Sequence, residues 1–132
     1  MEIVLQTNDN GQRLELRDIW RDDTIYECRI FISLDGFTVD RKFFFEWIFL
    51  LDFLKNLEHM NKELSGEAIL KCEYEEEFIK VSCISQGHIR VAGLIVDQSW
   101  LRQEFRFEFE TDQTMLGPLI RDIELVKDMV SI

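Results

Sequence analysis

Leu101-Arg102-Gln103-Glu104-Phe105-Arg106-Phe107-Glu108-Phe109-Glu110 alternates without a break. Leu101, Gln103, Phe105, Phe107 and Phe109 share one face, and Arg102, Glu104, Arg106, Glu108 and Glu110 share the other. Successive strand side chains point to opposite sides of a sheet, so this period of two marks a strand with one buried face. The other face meets water or a charged partner, as is common in antiparallel sheets. The residues before it continue the pattern. Ile89, Val91, Gly93 and Ile95 alternate along a strand, Gln86-Gly87 turns the chain, and Phe78 to Ile84 is a short strand rich in β-branched residues. Glu75-Glu76-Glu77 reads as a charged turn after a strand from Glu67 to Tyr74, with Ala68, Leu70, Cys72 and Tyr74 on one face.

After this strand the period lengthens. From Asp112 onward, Leu116, Leu119, Ile120, Ile123 and Val126 or Val130 fall on one side of a terminal helix. Asp112 or Thr114 is suited to cap it. Gly117-Pro118 requires the helix either to begin at Pro118 or to kink there.

The first half repeats this order. Ile3, Leu5 and Thr7 alternate, Asn10-Gly11 suits a hairpin turn, and Leu14 and Leu16 alternate with Arg13, Glu15 and Arg17. Beyond Arg21-Asp22-Asp23, Tyr26, Cys28, Ile30, Ile32 and Leu34 form one face. Asp35-Gly36 turns into a fourth strand carrying Phe37, Val39, Arg41 and Phe43, with Arg41 as the flaw in its apolar pattern. Residues 46 to 64 then form an amphipathic helix whose stripe is Trp47, Leu50, Leu51, Leu54, Leu57 and Leu64. Ile48, Phe49 and Phe53 lie outside that stripe, so its N-terminal half is either buried on two sides or presented to a partner. Ser65-Gly66 ends the helix, with glycine expected at the left-handed cap. The fold class is therefore α+β: an antiparallel meander of about eight strands with two helices, ordered ββββα-ββββα. Residues 1 to 132 are expected to form a single domain, the apolar sheet face covered by the helices.

Composition narrows the function. A hydrophobic fraction of 46%, eleven Phe and three Trp fill one core, and one Pro with six Gly leaves no linker composition. The net charge of −11 repels phosphate backbones and anionic lipid, which argues against nucleic-acid and membrane-surface roles. The longest apolar run, Phe43 to Leu51, is broken by Glu46 and falls well short of a membrane span. No basic stretch marks the N-terminus as a signal peptide, so the mature chain is expected to begin at Met1. Cys28, Cys72 and Cys83 form no paired pattern, and each falls within an apolar alternation. Buried thiols in a reducing cytoplasm are the expectation.

Chemistry-bearing residues are sparse. His59 precedes Glu63 by one helical turn, but no third or fourth metal ligand lies nearby. His88 stands beside a turn without a neighbouring nucleophile. No nucleotide, zinc-hydrolase or calcium motif occurs, so no cofactor is expected and the chain reads as a non-enzyme. The feature that remains is acidic: Glu73, Glu75, Glu76 and Glu77, with Glu104, Glu108 and Glu110. If their strands lie together, these carboxylates form a patch able to steer a basic protein. Otherwise they make ion pairs across a solvated sheet face.

The segments Leu57…Leu64-Ser65-Gly66-Glu67-Ala68, Gln86-Gly87-His88-Ile89-Arg90-Val91 and Phe105-Arg106-Phe107-Glu108-Phe109, leading into Asp112-Gln113-Thr114-Met115-Leu116, resemble the WapI-like bacterial immunity proteins and neighbouring uncharacterised bacterial families over about residues 43 to 125. That resemblance implies a protein that binds and neutralises a toxin domain, often a basic nuclease, with no catalytic residues to carry over. Two other expectations stand beside it. One is a small-molecule binder or enzyme whose pocket between sheet and helices brings Arg41, Arg90 or His88 to an anionic ligand. The other is a homodimer subunit using Phe49 and Phe53 or an exposed edge strand.

Overall fold

The computed structural model describes residues 1–6 and 11–130. Among them, eight strands and two α-helices follow the order ββββα-ββββα. The elements are β1 (Ile3–Gln6), β2 (Arg13–Asp22), β3 (Ile25–Leu34), β4 (Phe37–Glu46), α1 (Trp47–Glu63), β5 (Glu67–Lys71), β6 (Phe78–Ser85), β7 (His88–Asp97), β8 (Gln103–Asp112) and α2 (Leu116–Lys127). Two antiparallel four-stranded sheets result, β1-β2-β3-β4 and β5-β6-β7-β8, each laid out in chain order. Turn chemistry explains the meander. Gln86 and Gly87 both adopt positive φ, 48° and 81°, as a two-residue turn twisted to match its strands requires. At the β2–β3 corner, Asp23 takes φ 56°, which an aspartate tolerates better than most residues. Of the turn expected at Asn10-Gly11, Asn10 lies outside the described residues, as does Thr7.

One hydrophobic cluster gathers buried side chains from both sheets and both helices, among them Leu14, Tyr26, Phe43, Phe53, Val81, Phe107 and Leu119. Tyr26 and Phe45 stack within it, ring centroids 4.8 Å apart. Gly93 serves packing: a β-carbon there would lie 2.4 Å from the Phe78 carbonyl oxygen and 2.6 Å from the Phe107 ring. Its missing side chain lets the two neighbouring strands close over β7.

Several local expectations need correction. Phe53 belongs to the buried stripe of α1 with Leu50, Leu54, Leu57 and Met60, whereas Trp47 is exposed and Leu51 half-buried. The left-handed cap of α1 is Leu64 (φ 54°), not Gly66, so the helix stops one residue before the end of its apolar pattern. β5 ends at Lys71 and β8 begins at Gln103, leaving Tyr74 and Leu101 exposed outside them. Asp112 caps a short 3-10 turn, Gln113–Met115, by accepting from the Thr114 amide. The α-helix then starts at Leu116, ahead of Pro118. Proline lies in the first turn, where no intrahelical partner awaits its absent N–H.

A β-bulge in β2 has the largest consequence for the surface. Pairing with β3 shifts register between Arg17 and Trp20, and Asp18 takes φ 53°. Leu14 and Leu16 point into the core before the bulge, and Ile19 does so after it. The extra residue reverses the parity, so Trp20 projects outward beside Glu27 instead of inward.

Candidate functional site

The connection between β5 and β6, residues 72–77, carries four of the seven nominated glutamates. It is tied to the body on three sides. The Glu73 amide donates to Glu46 Oε1 at 2.6 Å, at the junction of β4 and α1. Glu77 Oε2 accepts from the Val96 amide of β7 at 2.9 Å. Glu76 pairs with Arg102, just ahead of β8, at 2.6 Å. The Glu75 amide also donates to the Cys72 carbonyl at 3.2 Å, which tightens the loop. These bonds leave Tyr74, at 92% of its full exposure, on an anchored segment.

Arg102 is the link between this loop and β8, since it also bonds Glu104 at 2.8 Å. Glu104 lies 3.7 Å from Arg106 as well, and Glu108 pairs with Arg90 across the β7–β8 ladder at 2.6 Å. Glu110 stands opposite Arg90 and lies six residues beyond Glu104, a distance of about 20 Å along the strand. The seven glutamates are therefore not one patch. Glu73 to Glu77 join Glu104 through Arg102, while Glu108 and Glu110 lie farther along the sheet. Glu76, Glu104 and Glu108 face arginines, Glu77 is committed to a backbone amide, and the side chains of Glu73 and Glu75 meet no hydrogen-bonding or ionic partner among the described residues.

The nominated phenylalanines also separate. Phe53 is 1% exposed and packed in the core, so it is not a surface residue that a partner could contact. Phe49 is half-buried, with Lys71 Nζ 5.9 Å from its ring centre. Besides Ile48, which the sequence already set outside the helical stripe, the structure exposes apolar side chains that were not nominated: Trp20, Ile25, Phe44, Trp47 and Tyr74. The outer face of the first sheet supplies three of them. Trp20 pairs with Glu27, Glu27 with Phe44, and Ile25 with Glu46. Two hollows flank the loop. One, of about 360 Å³, is lined by Ile25, Phe44, Glu46, Cys72, Tyr74 and Glu75. The other, of about 400 Å³, is lined by Ile48, Phe49, Leu51, Asp52, Lys55 and Glu73.

Electrostatics follow from this crowding. Burial first, then the charges of Glu46, Glu75 and Glu77, push the Cys72 thiol up to about 11, so the wall it forms is neutral at physiological pH. Burial also raises the Glu77 carboxyl above its ordinary range. Glu104 moves the opposite way, lowered chiefly by its hydrogen bond with Arg102.

The alternative pocket does not assemble. Arg41 pairs with Asp97 at 3.3 Å beside a cleft of about 140 Å³, smaller than usual ligand sites. His88 lies nine residues from Asp97 along β7, and Arg90 is engaged by Glu108, so Arg41, Arg90 and His88 do not converge. Among the described residues, no helix is long and apolar enough to cross a membrane, and no group of three or more His, Cys, Asp or Glu side chains is placed to hold a metal ion.

Compared with known proteins, residues 3–126 match the model of the Immunity protein WapI-like family, from the first residue of β1 into the last turn of α2. Neither a curated protein nor a solved structure matches the chain.

Proposed function

Because the chain belongs to the Immunity protein WapI-like family, we propose that it binds and neutralises a basic toxin domain by occlusion, without chemistry of its own. The surface around residues 72–77 is the site. One observation carries this reading: an anchored loop displays Tyr74 between two carboxylates, Glu73 and Glu75, that pair with no cation among the described residues. Exposed aromatic side chains supply contact area at little entropic cost, and they dominate the energetics of many interfaces. Unpaired carboxylates beside them add selectivity for a cationic partner, and the −11 field accelerates its approach. Cys28, Cys72 and Cys83 are all free thiols, which fits action in a reducing cytoplasm.

The test is co-production of this chain with candidate toxin domains, taken first from any that its neighbouring genes encode. Cells carrying both proteins are expected to survive, and the two should co-elute as a complex that weakens between low and physiological salt. Cell death despite abundant folded protein, with no complex at either salt, contradicts the proposal.

A further inference from the structure

The two hollows beside the loop differ in charge. Lys55 lines the hollow over α1, which therefore brings a cation of its own, as does a separate hollow beside Trp20 that includes Arg29 and Lys42. The groove between Ile25, Phe44 and Tyr74 has none. Its charged side chains are the carboxylates of Glu46 and Glu75, and its lining includes the buried Cys72. Glu46 spends Oε1 on the Glu73 amide, which leaves Oε2 free of that bond. Two aromatic rings and two carboxylates on an apolar floor would repel an anion, and they would leave the carboxylates unmatched beside a purely apolar side chain.

Resting on the neutralisation reading, we infer that this groove takes one arginine side chain of the partner, its guanidinium stacked on Phe44 and Tyr74 and paired with Glu46 and Glu75. The chain uses the same arrangement internally. On the outer face of the first sheet, Glu15 stands opposite Phe31 in the β2–β3 ladder, and Arg17 bonds Glu15 while lying 4.1 Å from the Phe31 ring centre. Glu15 is 4% exposed beneath Arg13 and Arg17, although it sits on the solvent side of the sheet. Phe44 likewise stands opposite Glu27 and next to the Ile25–Glu46 pair, but its ring remains 41% exposed. Arginine fits better than lysine: its planar, weakly hydrated guanidinium stacks on a ring and can meet two carboxylates at once, whereas an ammonium is a compact, strongly hydrated charge.

The first arm of the test needs no toxin. The isotopically labelled chain is titrated with acetyl-Gly-Arg-Gly-amide, with the lysine and citrulline peptides as controls, while backbone amide signals are followed. Saturable shifts are expected at Ile25, Phe44, Tyr74 and Glu75, with dissociation constants of about 1–10 mM. The lysine peptide should bind about fivefold more weakly, and the neutral citrulline peptide should leave these signals unmoved. Tyr74→Ala and Glu75→Gln change exposed side chains and should abolish the response in a spectrum that is otherwise preserved. Absent or scattered shifts, or equal shifts with lysine, overturn the assignment. If the toxin domain binds both variants as well as it binds the unaltered chain, the groove assignment falls while neutralisation stands. If the toxin domain fails to bind the unaltered chain, neutralisation falls, and the peptide titration still decides the groove.

Discussion

The outer face of β8 and the loop at residues 72–77 are both rich in glutamate, yet they present different surfaces. On β8, glutamates alternate with Arg102 and Arg106 and face Arg90 across the ladder, so Glu104 and Glu108 are already neutralised within the sheet. In the loop, Arg102 is taken by Glu76, and Arg41, already paired with Asp97, acts on Glu77 only through its field. Glu73 and Glu75 remain available beside Tyr74, Phe44 and Ile48. Net negative charge in a segment is therefore a poor measure of charge offered to a partner. Exposed ion pairs of the β8 kind contribute about 0–1 kcal/mol to stability and present little unbalanced field.

The widest separation between the two regions should appear in partner affinity. Phe44→Ala combined with Tyr74→Ala is expected to weaken toxin-domain binding by about a hundredfold or more, because exposed aromatic anchors carry a large share of interface energy. Glu108→Gln with Glu110→Gln on β8 should change it by less than about threefold. Calorimetric titration of the two double variants checks the contrast, and the reverse order of effects would move the site to β8.

Stability sharpens the comparison next. Gly93 lies in β7, the strand whose end anchors Glu77 and whose ladder supports β8, so Gly93→Ala strains the support of both regions at once. A loss of about 2 kcal/mol in urea unfolding is expected, since the new methyl meets both the Phe78 carbonyl oxygen and the packed Phe107 ring. Leu64→Gly lies outside both regions and should stabilise by about 1 kcal/mol, because Leu64 occupies the left-handed cap at φ 54°. Affinity for the toxin domain should not change.

The smallest effects are pH-dependent and opposite in sign. Glu77 binds its proton more tightly in the folded chain than in the unfolded one, so its contribution to stability falls as pH rises from the ordinary carboxylate range through its raised value. Glu77→Gln keeps an acceptor for the Val96 amide and should gain on the unaltered chain across that interval. Glu104 is lowered, so its contribution is present above the ordinary carboxylate range and lost as pH falls through its folded value. Glu104→Gln should therefore cost most near neutrality. Denaturant midpoints measured from acidic to neutral pH distinguish the two slopes.

Much of the scaffold was legible in the alternation of β8 and in the turn pairs Asp35-Gly36 and Gln86-Gly87, because pleat and hairpin geometry are local. Element order and the absence of parallel crossovers followed from the same signals. The surface was less legible, for three physical reasons. The bulge at Asp18 turns Trp20 outward, and no turn dipeptide announces it. A stripe drawn through Leu51 leaves Phe53 outside it, yet a rotation of the helix places Phe53 in the core. Whether a glutamate is free depends on which arginines lie across the ladder, which is set by register rather than by sequence proximity. Ile25 and Phe44 did leave a trace: each is out of phase with the core face of its own strand, the mark of a large apolar residue aimed at the surface.

Hydrogen exchange of the chain with and without a toxin domain that it neutralises on co-production tests the central claim most directly. Slowed exchange is predicted at residues 20–27, 44–49 and 72–77, with residues 106–110 of β8 unchanged. Protection centred on 106–110, or no protection in the presence of saturating toxin domain, would contradict the account.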